Sequence, residues 1–121
     1  MSKNILIVDD SESIRELLAF TLESSGYQIQ KGEDGLDALR LLDGRLLDLI
    51  ITDLIMPNMD GIQLILEIRK NEAYANIPIL MLTTESQAAK KDEAKAAGAT
   101  GWIVKPFSQE KLLQVVKKVI R

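Results

Sequence analysis

The sequence predicts an α/β three-layer sandwich, a five-stranded parallel sheet covered by helices on both faces. Two observations predict it. Short apolar runs alternate along the chain with segments of helical period, the pattern of repeated βα units. In addition, the runs Ile5–Val8, Leu49–Ile51, Ile77–Leu82 and Ile103–Val104 are followed by polar residues of a particular kind: Asp9 and Asp10, Asp53, Thr83, and Lys105. Parallel strands would carry all of them to one end of one sheet, where open α/β folds place their ligands. Three carboxylates repel one another unless a cation sits among them, and the ammonium asks for an anion. The cluster therefore points to a hard divalent metal beside an anionic group.

The elements follow in order. A first strand is expected over Asn4–Val8. Ser13 and Glu16 then have capping-box spacing, and Ile14, Leu17, Leu18 and Leu22 form a stripe read as the core-facing side of a first helix. Gly26 follows that helix, as Gly44 and Gly98 follow later ones, at places where a left-handed closing residue is needed. The second strand, Tyr27–Lys31, alternates apolar and polar residues and reads as an edge. The third, Leu49–Thr52, and the fourth, Ile77–Leu82, are nearly continuous apolar runs of the kind buried on both faces. Asp60 and Gln63 give a second capping-box spacing. The segment Gln87–Ala97, rich in alanine and lysine, predicts a weakly packed helix. A fifth strand falls at Gly101–Val104, and Leu112, Leu113, Val116, Val119 and Ile120 make the core-facing stripe of the last helix. Right-handed crossovers leave few sheet orders for five such units. The flavodoxin-like order 2-1-3-4-5 is expected, because it makes strands 1 and 3 neighbours and brings Asp9, Asp10 and Asp53 together at the switch point.

Composition narrows the function classes. A chain of 121 residues, 46% hydrophobic, holds one ordinary core. With no linker, repeat or low-complexity stretch, a single domain over residues 1–121 is expected. A net charge of −3 argues against direct binding to nucleic acid. No apolar stretch approaches membrane-spanning length, and the amino terminus lacks a signal-peptide pattern, so no membrane association and a cytoplasmic location are expected. The absence of cysteine and histidine removes disulfides, Cys/His zinc sites and imidazole acid–base catalysis. Any chemistry falls to Asp, Glu, Lys, Thr or Ser.

Four fragments then carry a resemblance: Ile-Val-Asp-Asp-Ser, Thr-Asp-Leu-Ile-Met-Pro-Asn-Met-Asp-Gly, Met-Leu-Thr-Thr and Gly-Trp-Ile-Val-Lys-Pro-Phe, in register at the ends of the predicted strands. Over essentially its whole length the chain resembles the receiver domains of two-component response regulators, most of all the stand-alone chemotaxis (CheY-like) type. The resemblance implies that Asp53 is the phosphoacceptor and that Mg2+ is the metal. Asp10 and Asp53 would be direct ligands, with the main-chain carbonyl of Ile55, and Asp9 would act largely through water. It further implies that Lys105 meets a phosphoryl oxygen, before a Pro106 that is typically cis in the family. Thr83 would swing toward the phosphoryl group and let Trp102 turn inward. The commonest family pattern has Tyr or Phe where this chain has Trp102, so a less complete switch is expected. Ile55 and Glu85 would flank the path of the water that hydrolyses the acyl phosphate, and a branched apolar Ile55 should slow that step.

The resemblance implies a signalling switch rather than an enzyme, with self-phosphorylation from small donors and slow autodephosphorylation. The expected partners are a sensor histidine kinase, a target protein such as the flagellar motor switch and a phosphatase, with the chain itself a monomer and binding its only output. The alternative is a phosphorelay intermediate that passes its phosphoryl group to a histidine phosphotransfer protein. An aspartyl-nucleophile phosphatase would need Asp-x-Asp after the first strand, whereas Asp9 and Asp10 are adjacent. A flavin carrier would need a phosphate loop there, and Asp9, Asp10 and Glu12 would repel the phosphate.

Overall fold

The computed structural model describes residues 2–120. Five parallel strands, β1 (Asn4–Val8), β2 (Gln28–Gly32), β3 (Leu49–Thr52), β4 (Ile79–Thr83) and β5 (Gly101–Val104), form one sheet of order β2-β1-β3-β4-β5. This is the flavodoxin-like order that the sequence predicts. β1, β3 and β4 are almost wholly buried, while Gln28 and Lys31 of the edge strand β2 are exposed. Because side chains alternate across a strand, Ile5 and Ile7 enter one core layer and Leu6 and Val8 the other.

The helices α1 (Glu12–Glu23) and α5 (Gln109–Val119) cover the first layer through Leu18, Leu22, Leu112 and Val116. On the opposite face, α2 (Gly35–Leu41), α3 (Gly61–Lys70) and α4 (Ala88–Ala97) contribute Ala38, Leu64, Ile65, Ile68 and Ala94. A single 3-10 turn, Glu72–Tyr74, links α3 to β4. Among the described residues no helix is long and apolar enough to cross a membrane.

The caps explain where the helices begin. Asp60 and Gln63 close a reciprocal capping box at α3, at 2.8 and 3.0 Å. At α1 the expectation of a Ser13 cap is corrected: Ser11 caps the helix, its Oγ accepting from the Ile14 amide at 3.3 Å. The reason lies upstream, where a carboxylate oxygen of Asp9 takes the Ser11 amide at 2.9 Å and turns the chain into the helix two residues earlier. The α1 stripe is corrected too. Leu17 is 42% exposed, because at about 100° per residue it lies just beyond the edge of the buried arc of Leu18, Ala19, Thr21 and Leu22.

Two strands begin later than their apolar runs suggest. The Tyr27 amide bonds back to the Leu22 carbonyl, so Tyr27 belongs to the turn closing α1. At β4, the Ile77 amide closes the 3-10 turn and Pro78 has no donor for the ladder. Gly26, Gly44 and Gly98 all take positive φ, as their places after helices require.

Candidate functional site

Strand register assembles the site. Val8 of β1 pairs with Thr52 of β3, so Asp9 and Asp53 leave adjacent strands side by side. Thr83 pairs with Val104, and the Lys105 amide donates to the Thr83 carbonyl at 2.8 Å, which sets Lys105 over the same end of the sheet. The carboxylates of Asp9, Asp10 and Asp53 each offer an oxygen within 4.8 Å of the others. Asp9 is 2% and Asp53 9% exposed, whereas Asp10 faces solvent. The sequence-level cluster is thus one cluster in space.

Lys105 is the counter-charge. Its Nζ lies 2.8 Å from Asp9 Oδ2 and 3.1 Å from Asp53 Oδ2. Burial works against the ammonium, but its hydrogen bonds and attraction to the two aspartates outweigh that, and its pKa lies above the ordinary lysine value. It therefore stays charged at neutral pH. The other oxygen of Asp53 accepts from the Leu54 amide at 2.6 Å and the Ile55 amide at 3.3 Å. Asp53 is consequently oriented, with one oxygen on the backbone and one toward Lys105. The Lys105–Pro106 peptide is cis.

Thr83 is fully buried, and its Oγ1 accepts from the Glu85 amide at 3.3 Å. Trp102 is half-buried against the core, and its Nε1 donates to the Glu85 carbonyl at 3.1 Å. Thr83 and Trp102 thus hold the two sides of one residue. Ile55 is 62% exposed just beyond Asp53.

Sequence reasoning missed Arg15. Its Nη1 donates to the main-chain carbonyl of Asp9 at 2.6 Å, and it lines an open polar cleft of about 460 Å³ with Asp10, Glu12, Glu33, Asp34 and Pro57. A lone basic residue in the first turns of a helix after two aspartates was the available signal. It gave no indication that the target would be a carbonyl rather than a carboxylate.

With this geometry in hand, comparisons with known proteins are specific. Residues 5–117 match the model of the response regulator receiver domain family. The whole chain is 37% identical to the phosphate regulon transcriptional regulatory protein PhoB of Pseudomonas aeruginosa, covering 53% of that protein. It is 38% identical to the alkaline phosphatase synthesis transcriptional regulatory protein PhoP of Bacillus subtilis, covering 50% of it. The chain thus spans about half the length of these curated relatives. Among solved structures, the chemotaxis protein CheY4 of Vibrio cholerae is 44% identical with a TM-score of 0.95, the match covering 98% of this chain and 99% of that one. The response regulator protein TrrA of Thermotoga maritima, solved in complex with Mg2+ and BeF, is 38% identical with a TM-score of 0.86, covering 97% and 98% of the two chains.

Proposed function

This chain belongs to the response regulator receiver domain family, and from that premise we propose that Asp53 accepts a phosphoryl group from a histidine kinase and that the α4, β5 and α5 surface then binds a target protein. The observation that carries this is Asp53 itself, nearly buried at a central strand end, with one oxygen held by backbone amides and the other facing Lys105. In the transfer, an Asp53 oxygen attacks phosphorus in line. The bond from phosphorus to the kinase's imidazole nitrogen breaks, and the imidazole leaves with the electron pair. Lys105, a compact point charge, turns from Asp53 to a phosphoryl oxygen.

Three hard oxygen donors within 4.8 Å fit Mg2+. Asp10, Asp53 and the Ile55 carbonyl would hold the ion, with Asp9 acting largely through water. When bound, it supplies positive charge to the equatorial oxygens of the transferring group. The domain works in the cytoplasm as a switch rather than an enzyme, and it also takes phosphoryl groups from small donors.

Thr83 and Trp102 carry the response. A phosphoryl oxygen drawing Thr83 Oγ1 toward Asp53 removes the acceptor of the Glu85 amide, and Trp102 repacks as the Glu85 segment moves. This is a population shift driven by contacts that one state makes and the other lacks. Trp102 is the only tryptophan, so saturating Mg2+ and beryllofluoride should change its emission. Unchanged emission from a sample shown to have bound both would rule out repacking of Trp102.

Ile55 sets the lifetime of the acyl phosphate. Its branched side chain neither donates to nor accepts from water beside Asp53, and Glu85 would flank the same path. Ile55→Asn should raise the hydrolysis rate several-fold in a phosphate-release assay. An unchanged rate would contradict the assignment.

Chemotaxis, with the flagellar motor switch as target, is favoured over a phosphorelay because a chemotaxis protein, CheY4 of Vibrio cholerae, is 44% identical to this chain with a TM-score of 0.95. Phosphorylated protein should be captured by a motor switch protein and should not pass its phosphoryl group to a histidine phosphotransfer protein. The reverse pair of results assigns the relay.

A further inference from the structure

The helix α4 is held unequally at its two ends. At its amino end Gln87 supplies no side-chain cap, and along its length only Ala94 is buried. The loop before it is tied through Glu85 to Thr83 and Trp102, the two residues assigned to the switch. The carboxyl end is different. Gly98, at φ +118°, closes the helix with its amide on the Ala94 and Lys95 carbonyls at 3.1 and 3.0 Å, and the Ala99 amide also returns to Ala94 at 2.9 Å.

Arg69, in the last turn of α3, completes that end. Its Nη2 donates to the Gly98 carbonyl at 2.6 Å, while Nη1 faces the carbonyls of Ile77 at 2.7 Å, Ala75 at 3.1 Å and Tyr74 at 3.4 Å. One half-buried guanidinium therefore joins the end of α4 to α3 and to the segment leading into β4. The arginine also passes so closely over Gly98 that a Cβ there would lie 2.7 Å from its Nε. Among the described residues no carboxylate pairs with Arg69, so carbonyls are its partners. A cation at a helix carboxyl terminus is favoured by the helix dipole, and only a planar fork with several donors spans such a set of acceptors.

We propose that Arg69 is a positioning residue that fixes Gly98 as the pivot of α4, so that phosphorylation of Asp53 moves the amino end of the helix and leaves its carboxyl end in place. The proposal rests on the reading of Asp53 and Thr83 given above. It makes the output an angular movement of one helix, directed by where the helix is anchored.

Hydrogen exchange read by mass spectrometry on the full chain tests it. In the wild type, Mg2+ and beryllofluoride should alter exchange over residues 84–91 and leave 95–100 as before. Without any activator, Arg69→Gln should speed exchange over 95–100 on the order of tenfold, as expected for losing hydrogen bonds to a charged group. With activator, the same variant should show its response spread along the whole of α4. Arg69→Lys, which keeps the charge but loses the fork, should fall between the two. An even wild-type response along 84–100 overturns the pivot, as does an Arg69→Gln protein whose exchange over 95–100 matches the wild type. If Arg69→Gln does not fold, the wild-type and Arg69→Lys measurements decide. Failure of Asp53 to gain mass from acetyl phosphate would instead defeat the reading of the site, which separates the two outcomes.

Discussion

Lys105→Met should lower the stability of the metal-free protein by about 3 kcal/mol and disconnect phosphorylation from the response. The stability loss follows from burial. The side chains of Lys105, Asp9 and Asp53 are 12%, 3% and 11% exposed. Removing one partner of such a buried set leaves uncompensated charge, at a cost of about 3–5 kcal/mol. The lower end applies here because Asp10 opens the cluster to water. A loss of about 3 kcal/mol corresponds to a fall in Tm of roughly 10 °C for a domain of this size. Added Mg2+ should recover much of the loss, since the ion replaces the missing positive charge. Acetyl phosphate should still modify Asp53, yet Trp102 emission should no longer follow, because in the proposed switch Lys105 is what joins β5 to the phosphoryl group. Denaturation with and without Mg2+, together with emission after phosphorylation, checks both parts. A variant as stable as the wild type without metal, or one with an unaltered Trp102 response, would contradict the role of Lys105.

Gly61→Ala should be nearly as damaging, and for a steric reason. Gly61 opens α3 and donates its amide to the Leu54 carbonyl at 2.8 Å. A Cβ at this position would run into the Asp53 carbonyl and lie 2.9 Å from Leu54 Cα and 3.0 Å from Met81 Sδ. Two of those three neighbours are backbone, which cannot rotate away. Overpacking of this kind costs about 1–3 kcal/mol, and the upper end applies where backbone must move. The displaced backbone is that of Asp53. Phosphorylation by acetyl phosphate should therefore fall by about tenfold or more even in the folded fraction, since an ångström of misplacement at a reacting group is costly. Tm and the initial rate of mass gain measure the two effects. A variant with wild-type values for both would show that α3 can shift without disturbing the acceptor.

Much of this architecture was legible because it depends on short-range pattern. Buried parallel strands need continuous apolar runs, and the residue after each run is where a ligand can sit. The pattern alone therefore puts Asp9, Asp53, Thr83 and Lys105 at one sheet end. The box at Asp60 and Gln63 was legible for the same reason, since both partners lie within one helical turn. What escaped depends on contacts across the fold. Ser13 with Glu16 fits a capping pattern, but the Asp9 carboxylate decides in favour of Ser11. Leu17 fits an apolar stripe, but the direction of the buried arc is set by where α1 lies on the sheet. Arg15 and Arg69 both act on main-chain carbonyls, which every residue carries, so nothing in their neighbours' identities announces the contact. The indole N–H of a half-buried tryptophan calls for a partner, and for Trp102 that partner is again a carbonyl, that of Glu85.

The central claim, that Asp53 is where the phosphoryl group is carried, is tested most directly by intact-mass measurement after incubation with Mg2+ and acetyl phosphate. The wild type should gain the mass of one phosphoryl group, and Asp53→Asn should gain none. No gain in the wild type, or an equal gain in Asp53→Asn, would contradict the account.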